Sequence, residues 1–241
     1  RYPQTGDFIT NVSARRGEVG GMTFQIDVIS DVVCPWCFIG KRNLERALET
    51  WRAKYPDETP AVRWHAFQLN PQLPGSGVPR KQYLENKFGG PERAKEIYAR
   101  VSAAGKRAGI EFAFDSIQVQ PNTIDAHRLM HYAGEQGRQD EMAEAIFRRY
   151  FVEGADLSDK ETLADIAGQA GLNREKAAAY LASDADRGLI EEQDQRARAI
   201  GVEGVPFFIF NQRLALSGAQ PPEVIVEAME KAREELAATP Q

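Results

Sequence analysis

Residues 24–37 read FQIDVISDVVCPWC, and the architecture follows from where the character of this stretch changes. Through Val33 it is β-branched and apolar, the pattern of a buried strand. Pro35 then fits the first position of a helix, where its missing N–H costs nothing. Leu44, Ala47, Leu48 and Trp51 continue an apolar stripe at helical spacing, and Pro56 closes it. Cys34 and Cys37 therefore fall on the first turn of a helix that leaves a strand. They are the chain's two cysteines, and the spacing lets their sulfurs meet across that turn. Two thiols at a strand-to-helix junction are what dithiol–disulfide exchange requires.

Outward from this junction, residues 61–69 (AVRWHAFQL) form a second strand that stops at Asn70-Pro71. Strand, helix and strand of this length make a parallel βαβ unit. The pattern then turns helical over 79–89, 91–109, 122–137, 140–151, 158–171 and 173–182. Asn122, a capping box at Ser158-x-x-Glu161, and Asn173 are start signals; Gly137 and Gly171 are stops. No fixed period recurs, so the stretch is an insert and not a solenoid. A charged helix over 184–200 returns the chain to strand character at 205–210 (VPFFIF). Asn211-Gln212 turns into a strand over 213–217, and Pro221 opens the last helix.

Composition narrows the function classes. At 241 residues, 42% hydrophobic and 27% charged, the chain buries a core without disulfide staples or a structural metal. A net charge of −5 with mixed signs offers no basic stripe, so no nucleic-acid partner is expected. No run approaches the ~18 apolar residues of a membrane span, so no membrane partner is expected either. Residues 1–21 are a polar, Gly-rich extension. Arg15-Arg16 has no apolar run behind it before Gly20-Gly21, which is a poor export signal, and Met22 is a candidate start. The expectation is a cytoplasmic protein.

Four strings carry a family resemblance: SDVVCPWCFIGKRNLE at 30–45, FQLNP at 67–71, PNTIDAHRLMHYA at 121–133 and GVPFFIFNQRLALSGAQPPEV at 204–224. In this order they resemble the DsbA family of thiol–disulfide oxidoreductases, and within it the FrnE-like branch, over residues 22–231. The resemblance implies an α/β, thioredoxin-like fold with a large inserted all-helical domain. Its thioredoxin-like part would span 22–75 and 184–241, with the insert at 76–183. It implies exchange with a disulfide-containing protein or a small thiol such as glutathione, by a monomer or homodimer, without a cofactor. It further implies that the Val205-Pro206 bond is cis, lies against the dithiol and exposes the Val205 backbone to a substrate strand. Kappa-class glutathione transferases and 2-hydroxychromene-2-carboxylate isomerases are relatives with serine at the first position, where this chain keeps Cys34. One departure stands out: the family's buried acid six positions before the first cysteine is Val28 here. Asp27 faces the other side of the strand and Asp31 lies three positions before Cys34; both read as strand-end polar residues.

The roles then follow. Cys34, at a helix N-terminus, is the exposed attacking thiolate and Cys37, one turn on, the buried resolving thiol. The helix dipole supplies about 0.3–2 kcal/mol toward ionisation, against about 1.36 kcal/mol for each tenfold in acidity. Pro35, Trp36, Val205 and Pro206 are substrate-binding candidates, Trp36 either offering an indole face or merely packing. His127 and His131 have the i, i+4 spacing of a metal pair, but Arg128 stands where a zinc protease carries glutamate and no third ligand is evident, so no metal is expected. In the FrnE-like pattern Asn122, Asp125 and His127 lie near the cleft between domains, which makes His127 a candidate substrate contact. Lys41, Arg42 and Arg46 read as a solvated helix face. Two rival functions remain: a glutathione-dependent isomerase or transferase on a small aromatic, and a holdase-like binding protein using an apolar cleft.

Overall fold

The computed structural model describes residues 24–237; the extension at 1–21 lies outside the described residues. In chain order the elements are β1 (Gln25–Ser30), α1 (Pro35–Lys54), β2 (Ala61–Ala66), β3 (Val78–Pro79), α2 (Arg80–Phe88), α3 (Pro91–Arg107), β4 (Val119–Gln120), α4 (Ile124–Gly134), α5 (Gln139–Phe151), α6 (Lys160–Gln169), α7 (Arg174–Ala182), α8 (Arg187–Ala199), β5 (Phe207–Phe210), β6 (Leu214–Ser217) and α9 (Pro222–Ala237). The main sheet runs β2-β1-β5-β6. β1 and β2 pair in parallel, as a βαβ unit must, while β5 and β6 are antiparallel additions. The protein has a thioredoxin-like α/β fold, with α2 through α8 inserted between β2 and β5.

Pleat alternation sorts the sheet's two faces. Ile26 and Val28 of β1 pair with Phe210 and Phe208 of β5, and these four join one large core with Phe38, Leu44 and Trp51 of α1 and Ile225 and Met229 of α9. Ile29 and Ile209 face the other way, onto Phe67, Ala197 and Val202. The β5–β6 hairpin closes where the residue types demand: Asn211 and Gln212 both take left-handed φ, +48° and +56°, in a turn closed by the Arg213 N–H on the Phe210 carbonyl at 3.0 Å. The Asn211 side chain also accepts from the Gln25 N–H at 2.8 Å, tying the turn to β1.

Several local expectations change. Residues 78–79 pair with 119–120 as a small sheet, so α2 begins at Arg80 and not at Pro79. Asp159, not Ser158, caps α6, accepting from the N–H groups of Glu161 and Thr162. The Ser158 hydroxyl is occupied instead by Asp156 Oδ1 at 2.6 Å. Lys41 is not solvated: it is 2% exposed and held by Glu45, by Asp140 at 3.3 Å and by Glu144 at 3.4 Å. α5 covers this face of α1, which α1's own periodicity could not announce.

Candidate active site

Cys34 is the N-cap of α1, with extended backbone (φ −93°, ψ 112°) and Pro35 just inside the helix. Its carbonyl accepts from the Cys37 N–H at 3.0 Å, and its own N–H donates to Asp31 at 3.0 Å, which sets the turn that leads out of β1. The first turn of α1 carries no acidic side chain, so the positive end of the helix dipole is left uncompensated beside the sulfur. Both cysteines are free thiols.

Cys34 is less open than its expected role suggested, 5% exposed. Its Sγ–H donates to the Val205 carbonyl at 3.5 Å, and the Val205-Pro206 bond is cis. The approach of this loop to α1 depends on Gly40, where a Cβ would sit 2.8 Å from Pro206 Cγ. Cys37 is 1% exposed. Burial first, and then its contact with the Cys34 thiol, push the Cys37 thiol well above the ordinary range; the Ser30 hydroxyl and the Asp31 backbone pull the other way without prevailing. Cys37 therefore keeps its proton at neutral pH while Cys34 sits at the helix mouth.

A groove of about 260 Å³ opens at Cys34. Val33, Pro35 and Trp36 form one wall with Leu69 and Asn70; Phe88, Ile97 and Val101 of α2 and α3 form the apolar part of the other. Trp36 is 41% exposed, so it offers its ring to the groove and does not serve as packing. His127 does not line this groove. It is buried on α4 with Nε2 3.1 Å from Asp31 Oδ1, and it borders a separate cavity of about 20 Å³ together with Ser30, His65 and His131. That space suits a single water molecule. Among the described residues no cluster of three or more His, Cys, Asp or Glu is placed to hold a metal.

Asp31 is not a strand-end polar residue. It is fully buried, its Oδ2 accepts from the Leu69 N–H at 2.8 Å, and its backbone contacts Cys37. Asp27 is buried too, but its carboxylate meets His65 at 2.8 Å, on the sheet face opposite Val28. Sequence reasoning also missed Arg80. Its guanidinium is buried behind the groove, donating to Gln120 Oε1 and the Tyr150 hydroxyl at 2.8 Å and to the Tyr98 hydroxyl at 3.0 Å. An arginine followed by Lys81 at a helix start reads as solvated, and no local pattern signalled otherwise.

A dithiol whose first sulfur stands at a helix mouth, and whose second is kept protonated behind it, defines a thiol–disulfide oxidoreductase on a thioredoxin-like sheet. The comparisons agree. The chain belongs to the DSBA-like thioredoxin domain family, whose model matches residues 25–230. It is similar to the crystal structure of a probable DsbA oxidoreductase from Streptomyces coelicolor, at 31% identity and TM-score 0.81, over 90% of this chain and 92% of that one. In sequence it is 26% identical over 216 residues to YwbO of Bacillus subtilis, covering 86% of this chain and 96% of that protein. A 2-hydroxychromene-2-carboxylate isomerase (16% identity, TM-score 0.65, 90% of this chain and 100% of that one) shares the fold. So does the cytosolic disulfide reductase DsbM of Pseudomonas aeruginosa, solved with glutathione (17%, 0.58, 88% and 97%).

Proposed function

We propose that Cys34 is the attacking sulfur and Cys37 the resolving one in exchange with protein or small-thiol disulfides. The observation that carries this is the asymmetry of the pair: Cys34 borders the groove, whereas Cys37 is enclosed and holds its proton. The Cys34 thiolate attacks one sulfur of the substrate disulfide, that S–S bond breaks, and its electron pair leaves on the other sulfur. Cys37 then loses its proton and attacks Cys34, releasing the second substrate sulfur. Two electrons pass from the dithiol to the substrate, which takes up two protons as two thiols; the reverse sequence oxidises a substrate dithiol. Trp36, Pro35 and the Val205 carbonyl line the approach, and the Val205-Pro206 loop is where a substrate backbone would pair.

His127 fits a positioning role better than a substrate contact, because it acts through Asp31 on the groups around Cys37. His127→Ala is then expected to prolong the life of the mixed disulfide at Cys34, read by mass spectrometry after acid quench; an unaltered lifetime dismisses the role. A cytoplasmic setting and glutathione as the small thiol are supported by the fold shared with a cytosolic reductase solved with glutathione. Among the described residues no helix is long and apolar enough to cross a membrane. Couples of this kind span about −270 to −120 mV, roughly 7 kcal/mol of redox poise, and in a reducing compartment the chain would work as reductase or isomerase. Insulin reduction with a glutathione titration tests function and direction together: Cys34→Ser must abolish turnover. An isomerase or transferase on a small aromatic would instead survive Cys37→Ser. A holdase requires an extended apolar surface, and Trp36 is the sole exposed large hydrophobic among the described residues.

A further inference from the structure

Among the described residues the groove beside Cys34 has no carboxylate in its lining: its polar members are Asn70, Tyr83, Lys87, Tyr98 and Gln120. In a chain with 35 acidic residues against 30 basic ones, that is a local reversal of charge. Behind Tyr98 and Gln120 lies Arg80, 2% exposed, in no ion pair among the described residues and with its Nε unpartnered. A buried cation left with neutral partners is costly. Here it also dictates what those partners can do.

A guanidinium only donates. The Tyr98 hydroxyl accepts from Arg80, and the structure gives its own proton no acceptor. Gln120 is 3% exposed; its carbonyl oxygen accepts from Arg80, which turns its amide N–H₂, without a partner among the described residues, away from Arg80 on a residue that lines the groove. Lys87 donates to the Tyr83 hydroxyl at 3.1 Å and meets no carboxylate among the described residues. Burial, the larger influence, raises the Tyr98 phenol above its ordinary value against the pull of Arg80 and Lys87, so it remains a donor. Every side-chain polar group of this wall that lacks a partner among the described residues is a donor.

We propose that this wall is an anion subsite: the Tyr98 O–H, the Gln120 N–H₂ and the Lys87 ammonium receive a carboxylate carried by the substrate, beside the sulfur that Cys34 attacks. Arg80 is the fixed charge behind it. The groove, at about 260 Å³, falls short of the ~300–1,000 Å³ of drug-sized sites. The carboxylate therefore belongs to a small disulfide, or to one acidic group of a larger one. The inference rests on the exchange reading above.

The test compares substrates of one size and three charges. Fully reduced protein is mixed with dithiodipropionate, bis(hydroxyethyl) disulfide or cystamine. Each single turnover converts the protein dithiol to its disulfide and releases two substrate thiols, so no other reductant is needed. Rates are counted by acid quench and divided by the rate of the same disulfide with free mercaptoethanol, which removes intrinsic reactivity. The normalised rates are expected to fall from dicarboxylate to neutral to diamine, spanning about tenfold or more, as one charge-assisted hydrogen bond allows. Tyr98→Phe, which keeps the ring but takes one acceptor from Arg80, and Lys87→Met, at an exposed residue, should each cut the dicarboxylate-to-neutral ratio by about threefold or more. Lys176→Met, exposed on α7, should keep it. A charge acting on the attacking sulfur alone would speed all three disulfides equally, so equal normalised rates overturn the subsite. So does a Tyr98→Phe loss shared by all three. If none of the three disulfides reacts faster with the reduced protein than with free mercaptoethanol, the exchange reading itself fails and the subsite with it.

Discussion

Two cations, Lys41 and Arg80, are buried to the same depth, each 2% exposed, and they are compensated in opposite ways. Lys41, on the α1–α5 face, is ringed by Glu45, Asp140 and Glu144. Burial pulls its ammonium down, yet Asp140 and the other two carboxylates outweigh that and set it above its ordinary value. Arg80, at the groove, has two phenols and an amide. The first arrangement neutralises its own field and fastens α1 to α5. The second leaves its field available to whatever enters beside Cys34. Equal burial thus says nothing about role; the chemistry of the partners does.

The largest contrast lies in activity. Cys34→Ser should lower insulin reduction by about a thousandfold or more, since the remaining sulfur, Cys37, is enclosed and does not border the groove. Lys41→Met, on the compensated side, should stay within about twofold of the parent by the same assay. A comparable loss in Lys41→Met would join the two regions into one site.

Stability should run the other way. Lys41→Met takes the buried ammonium away from three carboxylates, of which Glu45 and Glu144 keep Arg42, and is expected to cost about 1–3 kcal/mol at neutral pH, read by calorimetry. This cost depends on pH. Burial pushes the Glu144 carboxyl up, but Arg42 and then Lys41 hold it below its ordinary value of 4.5. A carboxyl with a depressed folded value contributes stability that is present above the unfolded value and is lost as pH falls through the folded one. The gap between parent and Lys41→Met should therefore narrow below about pH 4.5. Arg80 has no carboxylate partner among the described residues, so the gap between parent and Arg80→Met should not narrow in that window on its account.

Gly40→Ala gives a smaller effect at the seam between α1 and the Pro206 loop. The added methyl lies too close to Pro206 Cγ, at 2.8 Å, for the loop to stay where it is. Overpacking of this kind costs about 1–3 kcal/mol. Melting temperature and exchange rate should fall together; an unchanged exchange rate would show that the Val205 carbonyl need not stand at Cys34. The smallest effect separates an exposed from a buried cation at the groove. Raising salt from about 0.05 to 0.5 M shortens the Debye length several-fold. The exposed Lys87 should lose part of its share of the anion preference, about twofold, while the share due to the buried Arg80 persists.

The elements that were legible in the sequence are those written in short range. The strand-to-helix junction at Cys34, the Asn211-Gln212 turn, the Asn173 cap, which accepts from the Lys176 N–H, and the helical run between the two halves of the sheet each follow from residues a few positions apart. What was misread was decided over long separations. Lys41 meets Asp140 across 99 positions, Asp31 meets His127 across 96, and Arg80 collects partners 18, 40 and 70 positions away. β3 and β4 are two residues each, too short for any periodicity to register.

The sequence by itself determined the chemistry: two thiols on the first turn of a helix, placed there by a β-branched run, a proline at the helix start and an apolar stripe, all local effects of backbone sterics and hydrophobic period. Tertiary structure alone decided which polar side chains would leave water and whom they would meet there. A charged residue's desolvation is set by the elements that close over it, and these come from distant parts of the chain, so a buried cation became a clasp at Lys41 and an open field at Arg80.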